Sequence, residues 1–313
     1  MDSWASVSVK PKIKTTNSTM ANNEKLIVEE RSRSIGNFMV GRLLPFRKKR
    51  QVGPFTFIDH MGPATLTSPQ WVDVDQHPHI GLCTFTYLLE GAIEHRDSTG
   101  AVQIIEAGDV GMMTAGSGVT HTERTPQAVR RQSTSVMHGY QIWIALPKEK
   151  EEMEPRFDFV AAAEIPKWTC DGMQMSLLAG KAYGYESPLA IHSELFVLDI
   201  TAIKDTTLDV QGHLSGEIAV LVNTGSIMDC DEEITAGQLM ISKAENECCL
   251  TLTKGTRVMI FGGPQLQEER HLYWNFVSTS KERIEQARKD WAAGRFPTVP
   301  DDDTYIPLPS ARS

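Results

Sequence analysis

The sequence predicts an all-β protein built from two small antiparallel barrels in tandem and ending in a helix. Three observations predict this class. Short runs rich in β-branched and aromatic residues alternate with Gly-containing turns through most of the 313 residues. The second half repeats the order of strands and turns seen in the first half. One stretch near the end has helical apolar spacing instead.

Composition narrows the functional classes. The hydrophobic fraction of 41% and the charged fraction of 23% are typical of a globular protein. The net charge of −9 argues against direct nucleic-acid binding, and no apolar run reaches the roughly 20 residues that span a bilayer. Five cysteines without framework spacing favour a reducing compartment and are interpreted as buried thiols. We expect a monomer without a membrane partner, cytoplasmic and, in a eukaryote, also nuclear.

The domain boundaries follow from shifts in composition. Residues 1–25 are rich in Ser, Thr, Lys and Asn and are predicted to be a disordered segment without a signal peptide. The first barrel is assigned to 26–150, and a charge cluster after Pro147 marks its end. The second barrel is assigned to 151–300 and includes the helix, and 301–313 form a tail.

The strands of the first barrel are separated by turn signals at Gly91, Gly100 and Gly108. The runs read as strands are 55–58, 85–89, 93–97, 102–105, 110–113 and 139–147. Alternation places His95 and Asp97 on one face of their strand, and we interpret them as a polar surface pair. His60 is either a satisfied core histidine or a partner for the second ring nitrogen of a metal ligand.

The terminal helix is predicted from its cap and its apolar face. Thr279 to Glu282 fits a capping box. Ile284, Ala287 and Trp291 share a face through their spacing, and Gly294 provides the stop signal. We expect this face to pack against a barrel.

Two short stretches carry the candidate chemistry, His77-Pro78-His79 and His121-Thr122-Glu123. Side chains two residues apart on a strand point the same way, so each stretch forms a pincer. Each pair alone is a weak signal, but strands and turns connect the two and can bring them together. Three imidazoles and a carboxylate suit a divalent transition metal with open coordination positions. Pro78 lacks an N–H group and places the first pincer on an edge strand or at a strand start.

These motifs together resemble a known family. The order His-x-His, apolar strand, Gly turn, Gly108-Asp109 and then Gly116 to His121 resembles the paired motifs of the cupin superfamily. More narrowly, the chain resembles the pirin family in the runs FIDHMGP (57–63), HPHIG (77–81), LLEG (88–91), HRDS (95–98) and MTAG (113–116). General cupins usually supply a Glu soon after His-x-His, which residues 82–85 lack, and the pirin resemblance implies Glu123 as the carboxylate.

The resemblance implies a metal site and a reaction. It implies His77, His79, His121 and Glu123 as ligands and iron(II) as the usual ion, with other divalent transition metals left open by the ligand types. It implies quercetin 2,3-dioxygenase-type activity on a flavonol and dioxygen, and we assign Glu123 as the catalytic base. It equally implies an alternative, a non-enzymatic, redox-sensitive iron-binding regulator that acts as a transcription cofactor or enzyme-binding partner. A sugar-phosphate isomerase or another metal cupin is less supported, because the narrower motifs are those of pirins.

The second barrel is predicted to lack metal ligands. Its strands are 195–200 and 218–223, and Gly225 and Gly237 match the turns at Gly91 and Gly108. Offsets counted from these glycines put Gln211, His213, Leu250 and Leu252 at the positions of the four ligands. A single histidine without partners does not hold a transition metal tightly.

Overall fold

The computed structural model describes residues 5–6, 25–35, 37–243 and 249–309. The chain forms two compact units. The first unit comprises Arg31–Ala162 with Leu266–Ser313, and the second comprises Met1–Glu30 with Ala163–Gln265. Both are β-structures, which confirms the predicted all-β class with two barrels and a C-terminal helix. Within the described ranges, every helix is too short or too polar to cross a bilayer.

Strands are numbered along the chain. Strands β1 to β13 are Ala5–Ser6, Leu26–Glu29, Arg31–Ile35, Phe38–Leu44, Phe55–Thr67, Asp73–His79, Leu82–Glu90, Ala92–Asp97, Val102–Glu106, Val110–Thr114, Val119–Arg124, Thr134–Ala145 and Arg156–Val160. Strands β14 to β26 are Lys167–Cys170, Met173–Ala182, Tyr185–Glu186, Phe196–Ala202, Thr206–Asp209, Glu217–Thr224, Ser226–Asp229, Glu232–Thr235, Gln238–Lys243, Cys249–Leu252, Arg257–Gly263, His271–Tyr273 and Phe276–Ser278. Helix α1 is Gln127–Arg130, helix α2 is Lys281–Ala292, and Lys148–Lys150 form one 3-10 turn.

The first unit is a barrel of two main sheets. One has the order β13-β10-β7-β12-β5-β4-β3, the other β6-β11-β8-β9. Apolar side chains from both sheets, among them Met61, Leu88, Ile93 and Ile105, form one buried cluster between them. Strand β6 lies at the edge of its sheet and contains Pro78, as predicted, because an edge position does not require the missing N–H group.

The second unit repeats this plan. Its larger sheet has the order β1-β14-β15-β17-β24-β19-β22-β2, with β16 paired to β15, and its smaller sheet is β18-β23-β20-β21. The interior is a single large apolar cluster that both sheets line. Strand β2 pairs with β22, so residues 26–29 belong here and not to the first barrel as predicted. The disorder predicted for 1–25 lies mostly outside the described residues, and Ala5–Ser6 pair with β14.

Helix α2 belongs to the first unit, whereas the sequence analysis assigns it to the second domain. Its N-cap is Ser280, whose hydroxyl accepts from the backbone N–H of Arg283. Ile284, Ala287 and Trp291 are buried, as predicted, and pack with Ile80 and Phe276. Its position in the sequence predicted that the helix belongs to the second domain. The apolar residues that cover its buried face are instead Phe276 and Ile80, which follows His79 in the chain.

The thiols differ from the expectation of uniform burial. Cys83 is buried, Cys170 is partly exposed, and Cys230 and Cys249 are exposed. Cys248 lies outside the described residues. The four described cysteines are free thiols, which agrees with the absence of framework spacing in the sequence.

A buried carboxylate ties the C-terminal segment to the first barrel. Glu151 is 4% exposed and accepts hydrogen bonds from the Ser278 hydroxyl (2.8 Å) and the Thr279 backbone N–H (2.9 Å). It also pairs with the guanidinium of Arg270 at 3.3 Å. Arg270 in turn donates to the backbone carbonyl of Leu146 at 2.9 Å. This network holds residues 270–279 against the end of β12.

Replacing this carboxylate should destabilise the first unit strongly. Glu151→Ala removes the nearer carboxylate from the Arg270 guanidinium, whose side chain is 1% exposed, and leaves only the more distant Glu268 carboxylate at 3.8 Å. Removal of one member of a buried ion pair typically costs about 3 to 5 kcal/mol, and we expect a loss near the lower value in urea unfolding. Glu152→Ala is the matched control, because Glu152 is 56% exposed and meets Arg283 at the surface. That change should cost below about 1 kcal/mol, and equal losses for the two variants would contradict the assigned role of Glu151.

Candidate metal centre

The pairing of β6 with β11 brings three histidines together. The strands are antiparallel, with His121 opposite His77 and Val119 opposite His79. The ligand atoms of His77, His79 and His121 all lie within 4.8 Å of one another, and all three residues are buried. Ring centroids are 4.3 Å apart for His77 and His121, and 4.9 Å for His79 and His121. The two predicted pincers thus meet through their histidines.

Some ring nitrogens of this cluster have a hydrogen-bond partner and others have none. His77 Nδ1 lies 2.8 Å from the Asp75 carbonyl, so this nitrogen carries the proton and Nε2 keeps its lone pair. His121 Nδ1 is engaged by His95 at 3.3 Å, while its Nε2 is buried without a hydrogen-bond partner. Neither nitrogen of His79 is in hydrogen-bonding geometry, although the Asn275 carbonyl lies nearby. Buried polar atoms are normally satisfied, so these free nitrogens indicate a missing ligand.

Burial keeps the three imidazoles uncharged. It lowers the pKa of His77 to about 4, although the hydrogen bond to the Asp75 carbonyl opposes this shift. Burial, together with the neighbouring His77, lowers the pKa of His79 and of His121 well below the usual value. Neutral imidazole nitrogen is the form that binds iron, nickel, copper or zinc. The site therefore fits a divalent transition metal.

Glu123 lies beside the cluster but is not part of it. Its carboxylate accepts a hydrogen bond from Gln141 Nε2 at 2.9 Å, and the Thr86 hydroxyl donates to Gln141 Oε1 at 2.7 Å. Burial raises the pKa of Glu123 to about 7, and the Gln141 bond opposes this rise. A bulge in the pairing with β6 falls between His121 and Glu123. The role of Glu123 as a fourth ligand stays a prediction.

Two residues interpreted as surface polar groups are buried beside the site. His95 is 3% exposed and Asp97 is fully buried, with His95 Nε2 and Asp97 Oδ2 2.9 Å apart. Alternation predicted their common face correctly, but the surface assignment was wrong because that face points into the barrel. His95 lies opposite Glu123, and Asp97 lies opposite His121, in the pairing of β8 with β11. A polar pair on the strand next to a candidate ligand strand could have signalled a supporting role.

His60 does not join the site. It stacks on Tyr140 with ring centroids 4.8 Å apart, and its Nε2 lies 3.0 Å from His138 Nε2. Tyr140 neighbours Gln141 on β12, and Gln141 is on the side that faces Glu123. Because neighbouring residues on a strand face opposite ways, His60 lies on the other side of this sheet. The interpretation as a core histidine with partners is the one that this geometry supports.

The second unit places apolar side chains where the first has its histidines. Leu250 lies opposite Leu208 and Asp229, as His121 lies opposite His77 and Asp97. Leu252 and Ile227 correspondingly take the positions of Glu123 and His95. Leu250 and Leu252 agree with the counted offsets. His213 and Gln211 do not, because the strand register makes Leu208, and Val210 two residues on, the counterparts of His77 and His79.

Family models match both halves of the chain. The model described as Pirin matches residues 37–144, and the model described as the Pirin C-terminal cupin domain matches 195–297. The first match contains the three clustered histidines and Glu123. The second contains the apolar counterparts at 208, 210, 250 and 252.

Several known proteins resemble the whole chain. A pirin-like protein of Caulobacter vibrioides is 42% identical over 91% of this chain and 99% of its own length. A Pseudomonas aeruginosa protein provisionally named a quercetin 2,3-dioxygenase is 36% identical over 83% of this chain and 80% of its own length. The crystal structure of an Acinetobacter baumannii quercetin 2,3-dioxygenase has a TM-score of 0.83, with 33% identity over 92% of this chain and 97% of that one. A nickel(II) complex of the Escherichia coli pirin YhhW shares the fold, with a TM-score of 0.61 and 19% identity over 77% of this chain and 99% of that one.

Removing an imidazole that lacks partners should separate metal binding from stability. His79→Leu abolishes metal retention but should raise the unfolding free energy of the metal-free protein. The physical reason is that a buried polar group without a hydrogen bond costs about 1 to 3 kcal/mol, and the second unit shows that this barrel interior accepts aliphatic residues. Metal analysis and urea unfolding of chelator-treated protein measure the two effects.

The matched control for that variant is His213→Leu. His213 is exposed and stacks on Tyr183, with centroids 4.4 Å apart. Its replacement should leave metal content unchanged and shift stability by no more than about 0.5 kcal/mol. Metal retention by His79→Leu, or metal loss in His213→Leu, would show that the ligand set is wrong.

Acid should destabilise the metal-free protein between about pH 6.5 and pH 5. The pKa of each clustered histidine is lower in the folded state, so the unfolded chain binds the protons first and stability falls as pH falls. Each such group contributes at most about 1.4 kcal/mol per pH unit. Glu123 acts in the opposite direction, since its raised pKa favours the folded state until pH rises through about 7. Denaturant midpoints measured across this range should fall less steeply in His79→Leu, and parallel slopes would contradict the lowered pKa of His79.

Proposed function

Because the chain belongs to the pirin family of two-domain cupins, we propose that it is an iron(II)-dependent dioxygenase acting on flavonols. The observation that carries this proposal is the meeting of three neutral imidazoles, with free Nε2 atoms at His79 and His121, beside a carboxyl group. The names of the Pseudomonas and Acinetobacter relatives support the quercetin 2,3-dioxygenase assignment. In that reaction both atoms of dioxygen enter the ring-opened ester, and one ring carbon leaves as carbon monoxide.

The metal and its ligands have separate tasks. Iron(II) held by His77, His79 and His121 would supply Lewis acidity and redox chemistry toward dioxygen. Nickel remains a second candidate, since the E. coli pirin YhhW is known as a nickel(II) complex. The uncharged imidazoles would leave the positive charge of a bound ion in place, and that charge would favour a deprotonated hydroxyl group. Glu123 would add the single negative charge of the ligand set if its side chain turned toward the ion.

Glu123 is also the group that can move a proton. Burial raises the pKa of this carboxyl to about 7, so it can change charge near neutral pH. Gln141, itself fixed by the Thr86 hydroxyl, holds the carboxylate through one oxygen and leaves the other able to accept. We assign Glu123 the removal of the proton from the flavonol 3-hydroxyl.

A stacked pair of aromatic rings lies next to the histidines. Trp143 meets His79 edge to face with centroids 5.2 Å apart and stacks on Phe57 at 3.9 Å. The Arg42 guanidinium lies 4.3 Å from the Phe57 ring centroid and forms a bidentate pair with Asp59 at 2.7 and 2.8 Å. This packing fixes the ring planes of Trp143 and Phe57 beside His79.

Glu123→Gln should reduce turnover more than it reduces metal content. The amide cannot accept the hydroxyl proton, and loss of a positioned base typically lowers rate about a hundred- to ten-thousandfold. The protein is loaded with iron(II) under anaerobic conditions, and flavonol-dependent oxygen uptake and carbon monoxide release are measured per bound iron. Turnover per iron equal to that of the wild type would exclude Glu123 as the base.

The chain offers a matched control for this variant. Glu217 in the second unit is buried and, like Glu123, accepts from a glutamine, Gln265 Nε2, at 2.6 Å. Glu217→Gln should leave turnover unchanged, which separates an effect at the site from a general effect of losing a buried carboxylate. If the iron-loaded wild type turns over none of a panel of flavonols and catechols, the regulator alternative gains support.

A further inference from the structure

A chain of hydrogen bonds leads from a buried carboxylate to one of the clustered histidines. Asp97 Oδ2 lies 2.9 Å from His95 Nε2, and His95 Nδ1 lies 3.3 Å from His121 Nδ1. All three residues are buried, with 0% exposure for Asp97 and His121 and 3% for His95. The far nitrogen of His121, Nε2, is one of the free nitrogens of the candidate metal centre.

The carboxylate end of this chain is fixed by its own partners. Asp97 Oδ1 accepts from the backbone N–H and the hydroxyl of Thr99, at 2.8 and 2.6 Å, and lies 3.3 Å from the Ala101 N–H. Oδ2 is thereby directed at His95. Burial alone would raise the pKa of Asp97, but the bonds from His95 and Thr99 hold it below its usual value. Asp97 is therefore an anion that can only accept protons in hydrogen bonds.

The charge at Asp97 determines which nitrogens carry protons along the chain. An anionic oxygen requires that His95 Nε2 carry a hydrogen. When His95 carries one proton, its other nitrogen, Nδ1, is a bare acceptor, and His121 Nδ1 is then the donor. The lone pair of His121 consequently resides on Nε2. The opposite arrangement would place a hydrogen on Nε2 and block metal binding through that atom.

We propose that Asp97, acting through His95, is a positioning residue that fixes the proton of His121 on Nδ1 and presents Nε2 to the metal. The inference rests on the proposed metal site but not on flavonol turnover. Partners of this kind are known to orient ligating histidines, and their loss typically costs about 10- to 100-fold in metal affinity. Here the Asp97 carboxylate acts on His121 through the imidazole of His95 and not by direct contact.

Packing holds the chain of Asp97, His95 and His121, here called the relay, in one geometry. The ring of His95 stacks on Phe157 with centroids 4.3 Å apart and planes 19° apart. The backbone pairing of β8 with β11 sets Asp97 opposite His121 and His95 opposite Glu123. The imidazole of His95 is thus confined between a flat aromatic surface and two hydrogen bonds.

The second unit shows that the fold itself does not require this relay. Asp229 lies opposite Leu250 at the register position of Asp97, and it pairs with Lys25. Ile227 replaces His95 within the apolar core. Where the barrel has no histidine to orient, the bridging imidazole is absent at that position, which is expected if His95 serves the ligand and not the barrel.

Asp97→Asn tests the relay with almost no change in shape. Two backbone N–H groups and a hydroxyl point at Oδ1, so the asparagine carbonyl oxygen should take that place and its NH₂ group should face His95 Nε2. His95 would then carry its proton on Nδ1 and donate to His121, which would move the His121 proton to Nε2. We expect nickel(II) affinity, measured by calorimetry with the metal alone, to fall at least about 10-fold.

The tautomer can be read without any metal. Long-range ¹H–¹⁵N spectra of histidine-labelled, metal-free protein distinguish the protonated ring nitrogen of each of the nine histidines. The wild type should show His121 protonated on Nδ1 and His95 on Nε2, with both reversed in Asp97→Asn. A wild-type His121 protonated on Nε2 would overturn the proposal, and this measurement decides it even if the variant folds poorly.

Asp229→Asn is the matched control, because it removes the same charge at the same register position of the other barrel. It should change neither the His121 tautomer nor nickel affinity. An equal loss of affinity in both variants, or unchanged affinity in Asp97→Asn, would overturn the proposal. If the wild type binds no nickel(II), cobalt(II) or iron(II), the proposed function fails, while the tautomer spectra still decide the relay.

Discussion

The antiparallel pairing of β6 with β11 is the constraint on which the site depends. It sets His77 directly opposite His121, and alternation along β6 adds His79 on the same side. A slip of β6 by one residue would turn His77 and His79 to the other face of the sheet, away from His121. Neighbouring elements hold the register: helix α2 covers Ile80, and Arg283 of that helix donates to the Ser117 carbonyl in the turn before β11 at 2.6 Å.

The two barrels use one plan with opposite interiors. In the second unit, side chains such as Leu208, Leu250 and Leu252 fill the space between the sheets and need no hydrogen bonds. In the first unit, the same register positions hold three imidazoles and a carboxyl group. Two of these histidines, His79 and His121, have ring nitrogens without a hydrogen-bond partner. Burying such groups is unfavourable. A fold that can be filled with leucine but holds free imidazoles instead trades stability for a binding site.

Local structure and the grouping of the three histidines could be predicted from the sequence. Features that depend on contacts between residues far apart in the chain could not. Period-two alternation predicted that His95 and Asp97 share a face, but alternation cannot tell which face of a strand is inside. Offsets counted from glycines reached Leu250 but missed Leu208, because the loop after β18 (210–216) is longer than the loop after β6 (80–81). The helix was placed by proximity in sequence, whereas its apolar face is covered by Ile80 and Phe276, and Ile80 lies two hundred residues earlier in the chain.

The C-terminal segment is hydrogen-bonded to the strand that carries two of the histidines. Gln76 Oε1 accepts from the Val299 N–H at 2.8 Å, its side-chain amide donates to the Thr304 carbonyl at 3.1 Å, and its backbone carbonyl accepts from the Ile306 N–H at 2.9 Å. The first unit is thus completed by residues that follow the whole of 163–265 in the chain. During synthesis the second unit has all its described strands before the first does, which reverses the usual N-terminal-first order. On the ribosome, the histidine strand lacks these hydrogen bonds until residues 299–306 have been made, so we expect metal loading to follow their synthesis.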